Sequence, residues 1–108
     1  MKNFLIPLLL LSGACLAAET PAEQSPVMAL AKDSGCLTCH ALTEKIVGPA
    51  YSNVAEKYKG QADAAASLAQ SIQYGSKGKW GRIPMPPHPS LSVEDINKLA
   101  RWVMTVQK

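Results

Sequence analysis

The chain has 108 residues, 47% of them hydrophobic and 18% charged, with a formal net charge of +3. That length holds one domain. The small positive balance comes without a long basic run, which argues against a nucleic-acid binder.

Met1-Lys2-Asn3 carries a positive charge, Phe4 to Leu11 is an apolar run interrupted by Pro7, and Ser12 to Ala18 is small and weakly polar. This is the build of a secretory signal peptide, too short to span a bilayer. Cleavage is expected after Ala18, so that residues 1–18 form the leader and residues 19–108 the mature domain. The −3 position is then Leu16 rather than a small residue. Cys15 offers a rival, because Gly13-Ala14-Cys15 loosely fits a lipoprotein signal, with Ser12 where an apolar residue is preferred. If the leader is removed whole, Cys15 and Lys2 leave with it. The mature part then keeps 10 Lys and Arg against 8 Asp and Glu.

Glu19 to Gln24 is rich in Pro, Glu and Ala and reads as a loose terminus. Ser25-Pro26 then supplies an N-cap followed by proline at the first helical position. Val27, Leu30 and Ala31 make an apolar stripe at helical spacing. Gly35 ends this helix and turns the chain into Cys36-Leu37-Thr38-Cys39-His40.

This C-x-x-C-H arrangement is that of a c-type haem attachment site. Cys36 and Cys39 stand close to one helical turn apart, so both sulfurs reach one edge of the macrocycle and can add across its two vinyl groups. His40 follows directly and can place an imidazole under the iron. Two other chemistries use a Cys-x-x-Cys pair. A structural zinc site needs a further Cys or His pair, and only Cys15 and His88 remain. A thiol–disulfide redox pair is expected after a strand in a βαβ setting, which is not legible here. The expected cofactor is one haem c, covalent through Cys36 and Cys39. A mature domain of about 90 residues is marginal on its own core. With aromatics as few as Tyr51, Tyr58, Tyr74, Trp80 and Trp102, a buried haem supplies the missing apolar mass.

Beyond a short polar connection, Gly48-Pro49 opens a second helix, roughly 49–59, with Tyr51, Val54, Ala55 and Tyr58 on one face and Gly60 at its end. Asp63 can cap a third helix to about Gln73, with Ala65, Leu68, Ala69 and Ile72 on one side and Gly75 as terminator. From Gly75 to Pro89, Gly75, Gly78, Gly81, Pro84, Pro86, Pro87 and Pro89 break regular structure. A loop that long in a small domain is functional rather than slack. Ser92-Val93-Glu94-Asp95 approximates a capping box for a last helix, whose Ile96, Leu99, Ala100 and Val103 face inward. Lys98, Arg101 and Lys108 suit its C-terminal end. No internal repeat and no strand is legible, so the class is all-α.

A haem held by His40 alone leaves one iron position open. Met28 and Met104 lie on predicted helices, where methionine usually fills core. Met85 lies in Ile83-Pro84-Met85-Pro86-Pro87, where the flanking prolines can hold a weak thioether ligand at low entropic cost. His88 is the competitor, since imidazole binds iron more strongly, but it reads as a surface loop residue.

These stretches, with Val47-Gly48-Pro49-Ala50-Tyr51, Gly78 through Pro87 and the final amphipathic helix bearing Trp102, resemble the bacterial cytochrome c-551 family (class I, also called c8) from about Ser25 to Lys108. The resemblance implies the class I cytochrome c fold, about four helices wrapped around one covalent low-spin haem, with His40 and Met85 as axial ligands. It implies a periplasmic electron shuttle rather than an enzyme, a monomer with no stable membrane insertion. Its partners would be redox proteins: a donor such as a bc1-type complex, and an acceptor such as a cd1-type nitrite reductase or a terminal oxidase. Pro49 matches the proline whose carbonyl accepts a hydrogen bond from Nδ1 of the axial His40, and Trp80 matches a tryptophan near a haem propionate. Leu37, Ile83 and Pro86 are candidates for an apolar docking patch, with Lys32, Lys77, Lys79 and Arg82 as its basic rim. Two positions depart from the pattern. Ala31 stands where many relatives place an aromatic, and Arg82 precedes Ile83 near the presumed docking surface. If Met85 is not on the iron, the alternative is a peroxidase or gas-sensing cytochrome with a vacant position.

Overall fold

The computed structural model describes residues 12–14, 22 and 25–108. Cys15, the expected cleavage point after Ala18, and most of the expected leader lie outside the described residues. Among the described residues there are four α-helices and no strand: α1 Pro26–Asp33, α2 Tyr51–Tyr58, α3 Ala64–Tyr74 and α4 Val93–Val103. A single 3-10 turn, Cys36–Thr38, follows α1. None of these helices is long and apolar enough to cross a membrane.

The helix starts follow the capping chemistry, with one exception. Ser25 sits in extended backbone and its hydroxyl accepts the Val27 N–H at 3.2 Å. Ser92 does the same for Asp95 N–H at 3.1 Å. Asp63, expected to cap α3, stands at the N-cap position with φ −99° and ψ 13° rather than extended, and its side chain makes no capping bond. The second helix starts at Tyr51 instead of Pro49. Pro49 therefore stays outside the helix, and its carbonyl is available to a side chain.

The core is built on α4, which packs against α1, α2 and α3. Its Ile96, Leu99, Ala100, Trp102 and Val103 are buried, as the helical stripe requires. Ala31 of α1 is fully buried in the same core. The Trp102 indole N–H donates to the Ala22 carbonyl at 3.1 Å, fixing the N-terminal segment to the last helix. In α3 the buried set is Ala64, Leu68, Ser71 and Ile72, so the inward face is turned from the predicted one, and Ala65 and Ala69 are only half-buried. The turn brings Ser71 into the wall of the cavity described below.

The breaker-rich segment after α3 is held at both ends of its central loop. Ser76 and Met85 exchange backbone hydrogen bonds of 3.0 and 2.9 Å, closing the loop between them. His88 donates both its backbone N–H (3.1 Å) and its ring Nδ1–H (3.0 Å) to the Ile72 carbonyl at the end of α3.

Candidate functional site

The 3-10 turn, the Gly48–Pro49 turn, α2, α3, α4 and the Ser76–Pro86 loop surround a cavity of about 460 Å³. Pockets for small molecules and cofactors run to roughly 300–1,000 Å³. Cys36, Cys39, His40, Pro49, Trp80 and Met85 all line it, although they lie on three separated stretches of sequence. Met28 and Met104 pack against the hydrophobic core instead. His88 is absent from the lining, its ring engaged by Ile72.

His40 Nδ1 lies 2.8 Å from the Pro49 carbonyl oxygen. A carbonyl only accepts, so Nδ1 carries the proton and Nε2 keeps its lone pair for a metal. Tyr51 stacks on the imidazole, with ring centroids 4.8 Å apart and planes at 19°. Trp102 meets Tyr51 edge-on at 5.3 Å. Gly48 lies so near the ring that a Cβ there would stand 2.6 Å from Cε1 and 2.9 Å from Nδ1.

Cys36 is buried and Cys39 half-buried, and neither is in a disulfide. Burial pushes the Cys36 thiol up from its ordinary value, against a smaller opposing effect from its hydrogen bond with Tyr51. A redox dithiol needs a thiol pulled down, so this setting is wrong for disulfide exchange. Among the described residues no group of three or more His, Cys, Asp or Glu that could hold a metal ion gathers, and the His88 ring is turned to Ile72 rather than to the two thiols. Two thiols, an imidazole with a free lone pair and a thioether around one apolar cavity fit a covalently bound haem.

Behind Met85 lies Gly75, with φ +77°. A Cβ there would collide with the Met85 carbonyl oxygen and stand 3.0 Å from Pro87 N. At the mouth, Trp80 is 38% exposed, and the Lys57 ammonium stands 4.4 Å from its ring centroid. Lys57 Nζ also donates to the Lys79 carbonyl at 3.4 Å.

The residues expected at the docking patch divide between the cavity and the rest of the surface. Ile83 and Pro86 line the cavity, but Leu37 is half-buried against the core. Ile46 and Val47, which periodicity could not single out because they lie in a loop, join Ile83 there as exposed apolar residues. Of the expected cations, Lys79 and Arg82 line the cavity and Lys32 and Lys77 do not, while Lys45 does. Gly48, Gly75 and Tyr51 are site residues whose roles depend on contacts across the fold. The adjacent Gly48-Pro49 pair, the helix-ending position of Gly75 and the aromatic in the α2 stripe were their sequence signals.

The sequence model of the family described as Cytochrome c matches residues 26–107. The chain is 48% identical over 105 residues to cytochrome c-551 of Pseudomonas aeruginosa, spanning 97% of this chain and 98% of that protein. It is 41% identical over 107 residues to cytochrome c-552 of Hydrogenobacter thermophilus, spanning 99% and 100%. Among solved structures, wild-type Nitrosomonas europaea cytochrome c552 superimposes with a TM-score of 0.72 at 45% identity, covering 74% of this chain and 99% of that one.

Proposed function

The chain belongs to the cytochrome c family, and from that footing we propose that it is a periplasmic single-electron shuttle whose haem iron is held between His40 and Met85. Its class is an electron carrier rather than an enzyme, with the all-α cytochrome c fold and one haem c covalent through Cys36 and Cys39. When bound, the haem supplies the ferric/ferrous couple that takes up and returns one electron.

The observation that carries the ligand assignment is that His40 and Met85 line one cavity with both thiols, each with its backbone or ring fixed. Pro49 accepts the Nδ1 proton, which orients the imidazole and raises its basicity. The Ser76 pairing and Pro84 and Pro86 hold Met85 in place. A thioether in the sixth position favours the reduced state relative to a second imidazole. Ligands that stay fixed through both oxidation states keep reorganisation small.

The periplasmic setting follows from reading residues 1–18 as a leader. Exposed Ile46, Val47 and Ile83 beside Lys45, Lys79 and Arg82 form a small mixed surface at the cavity. Small interfaces with charge steering give brief, fast encounters, as a shuttle needs. The partners we propose are redox proteins: a donor such as a bc1-type complex, and an acceptor such as a cd1-type nitrite reductase or a terminal oxidase.

Carbon monoxide tests the closed iron site. The reduced wild-type protein should bind it poorly at neutral pH, and Met85→Ala should bind it readily and turn toward high spin when oxidised. Equal binding by the two proteins would remove the Met85 ligand and favour a gas-sensing or peroxidase cytochrome.

A further inference from the structure

The Pro49 carbonyl that holds His40 Nδ1 lies nine residues along the chain. A second support reaches the same ring from the far ends of the sequence. A single hydrogen bond is a point contact. It fixes where Nδ1 lies and leaves the imidazole able to rock about the line to the oxygen. A contact on the ring face removes that freedom, and Tyr51 supplies it, stacked at 4.8 Å with the planes at 19°.

Tyr51 is itself held in two places. Its hydroxyl donates to the Cys36 sulfur, and a thioether sulfur remains a weak acceptor. Its ring meets that of Trp102 edge to face, 5.3 Å apart and at 75°. The indole is fixed in turn. Trp102 is 4% exposed, so its N–H needs a partner inside the protein. That partner is the Ala22 carbonyl at 3.1 Å, 80 residues away in sequence. An indole turned the other way would leave a buried donor unpaired. Core filling asks only for apolar volume, which leucine or phenylalanine would provide. Here the phenol oxygen and the indole nitrogen are both spent on fixing how the rings are turned.

We propose that Tyr51 and Trp102 are positioning residues for the axial ligand, and that the Ala22–Trp102 bond sets, through Tyr51, the plane in which the His40 imidazole lies. The inference rests on the proposed ligation by His40 and not on ligation by Met85. The plane of an axial imidazole selects which iron d orbital carries the unpaired electron of the ferric state. It thereby directs spin density toward particular edges of the macrocycle and adjusts the potential. A ring held on its face keeps one orientation in both oxidation states, so little rearranges when an electron arrives.

The test is proton NMR of the oxidised, haem-loaded protein with cyanide on the iron, with potentiometry of the cyanide-free protein beside it. Cyanide is cylindrical and displaces a thioether. The imidazole is then the planar axial ligand, and the pattern of haem-methyl shifts reports its plane whatever Met85 does. Trp102→Phe keeps an aromatic edge and removes the N–H; it should rearrange that pattern and shift the potential. Tyr51→Leu should rearrange it further, and Tyr51→Phe, which keeps the stacked ring, should lie nearer to wild type. Should Trp102→Phe fail to fold, the two Tyr51 variants decide by the same criteria. Thermal melting of each sample separates orientation from packing. A lowered melting temperature with methyl shifts and potential that superimpose on wild type overturns the proposal. Wild-type His40 ring protons without hyperfine shifts would overturn ligation by His40, and this inference with it.

Discussion

Gly48 has no side chain to lose, yet its replacement should be felt at the iron. A methyl group there would stand 2.6 Å from His40 Cε1, closer than any relaxed contact. The imidazole would have to move, and its 2.8 Å bond to Pro49 would lengthen or break. Gly48→Ala should therefore lower thermal stability and shift the reduction potential, while leaving the haem covalently attached. Differential scanning calorimetry and potentiometry on the same sample would show whether both change together. A variant with an unaltered potential would mean that the ring is held by Tyr51 stacking alone. At this scale the convergence of Cys36, Cys39, His40 and Met85 on one cavity follows candidates legible in the sequence, because the first three fall within five residues and Met85 is framed by prolines. The roles of Gly48, Gly75 and Tyr51 were not legible, because each is defined by a group that comes near only once the chain has folded.

The helices separate what local chemistry decides from what packing decides. Ser92 and Asp63 both precede a helix, but only Ser92 has the extended backbone that lets its side chain reach back to the third amide. Ser92→Ala should cost about 1 kcal/mol in thermal or denaturant unfolding, the usual worth of an N-cap, whereas Asp63→Ala should cost a small fraction of that. Equal losses would show that Asp63 caps α3 in solution. The stripe of α4 could be read directly, since it buries one continuous face, and that of α1 in part, with Ala31 buried and Val27 and Leu30 half-buried beside it. The inward face of α3 could not, because this helix borders a cavity and turns a serine toward it. Helix α2 begins two residues late for a related reason, since the carbonyl of Pro49 is engaged by His40.

Across the whole molecule, the apolar wall of the cavity is also part of the core. Tyr51, Val54, Tyr58, Leu68, Ile72, Leu99, Trp102 and Val103 belong to both. Without the haem, that apolar wall faces water, in a domain small enough that its own core is marginal. The chain prepared without haem, by expression lacking the attachment machinery or by a Cys36→Ala/Cys39→Ala variant, should lose most of its helical far-ultraviolet circular dichroism. Retention of wild-type helicity would show that the four helices pack without their cofactor. The all-α class was legible at this level, and so was the need for an apolar guest. The closeness with which three distant stretches converge on it was not, since convergence depends on helix packing angles that no local pattern encodes.

The hydrogen-bonded closure between Ser76 and Met85, with His88 tied to Ile72 just beyond it, has an evolutionary consequence. The position of the thioether is set at the neck of the loop, while the surface a partner would touch is set by the residues strung between. Mutational drift in residues 81–84 can then remodel the exposed surface without moving the backbone of Met85. Inheritance of a redox centre and adaptation to a new respiratory neighbour become separable traits within a single short segment of chain.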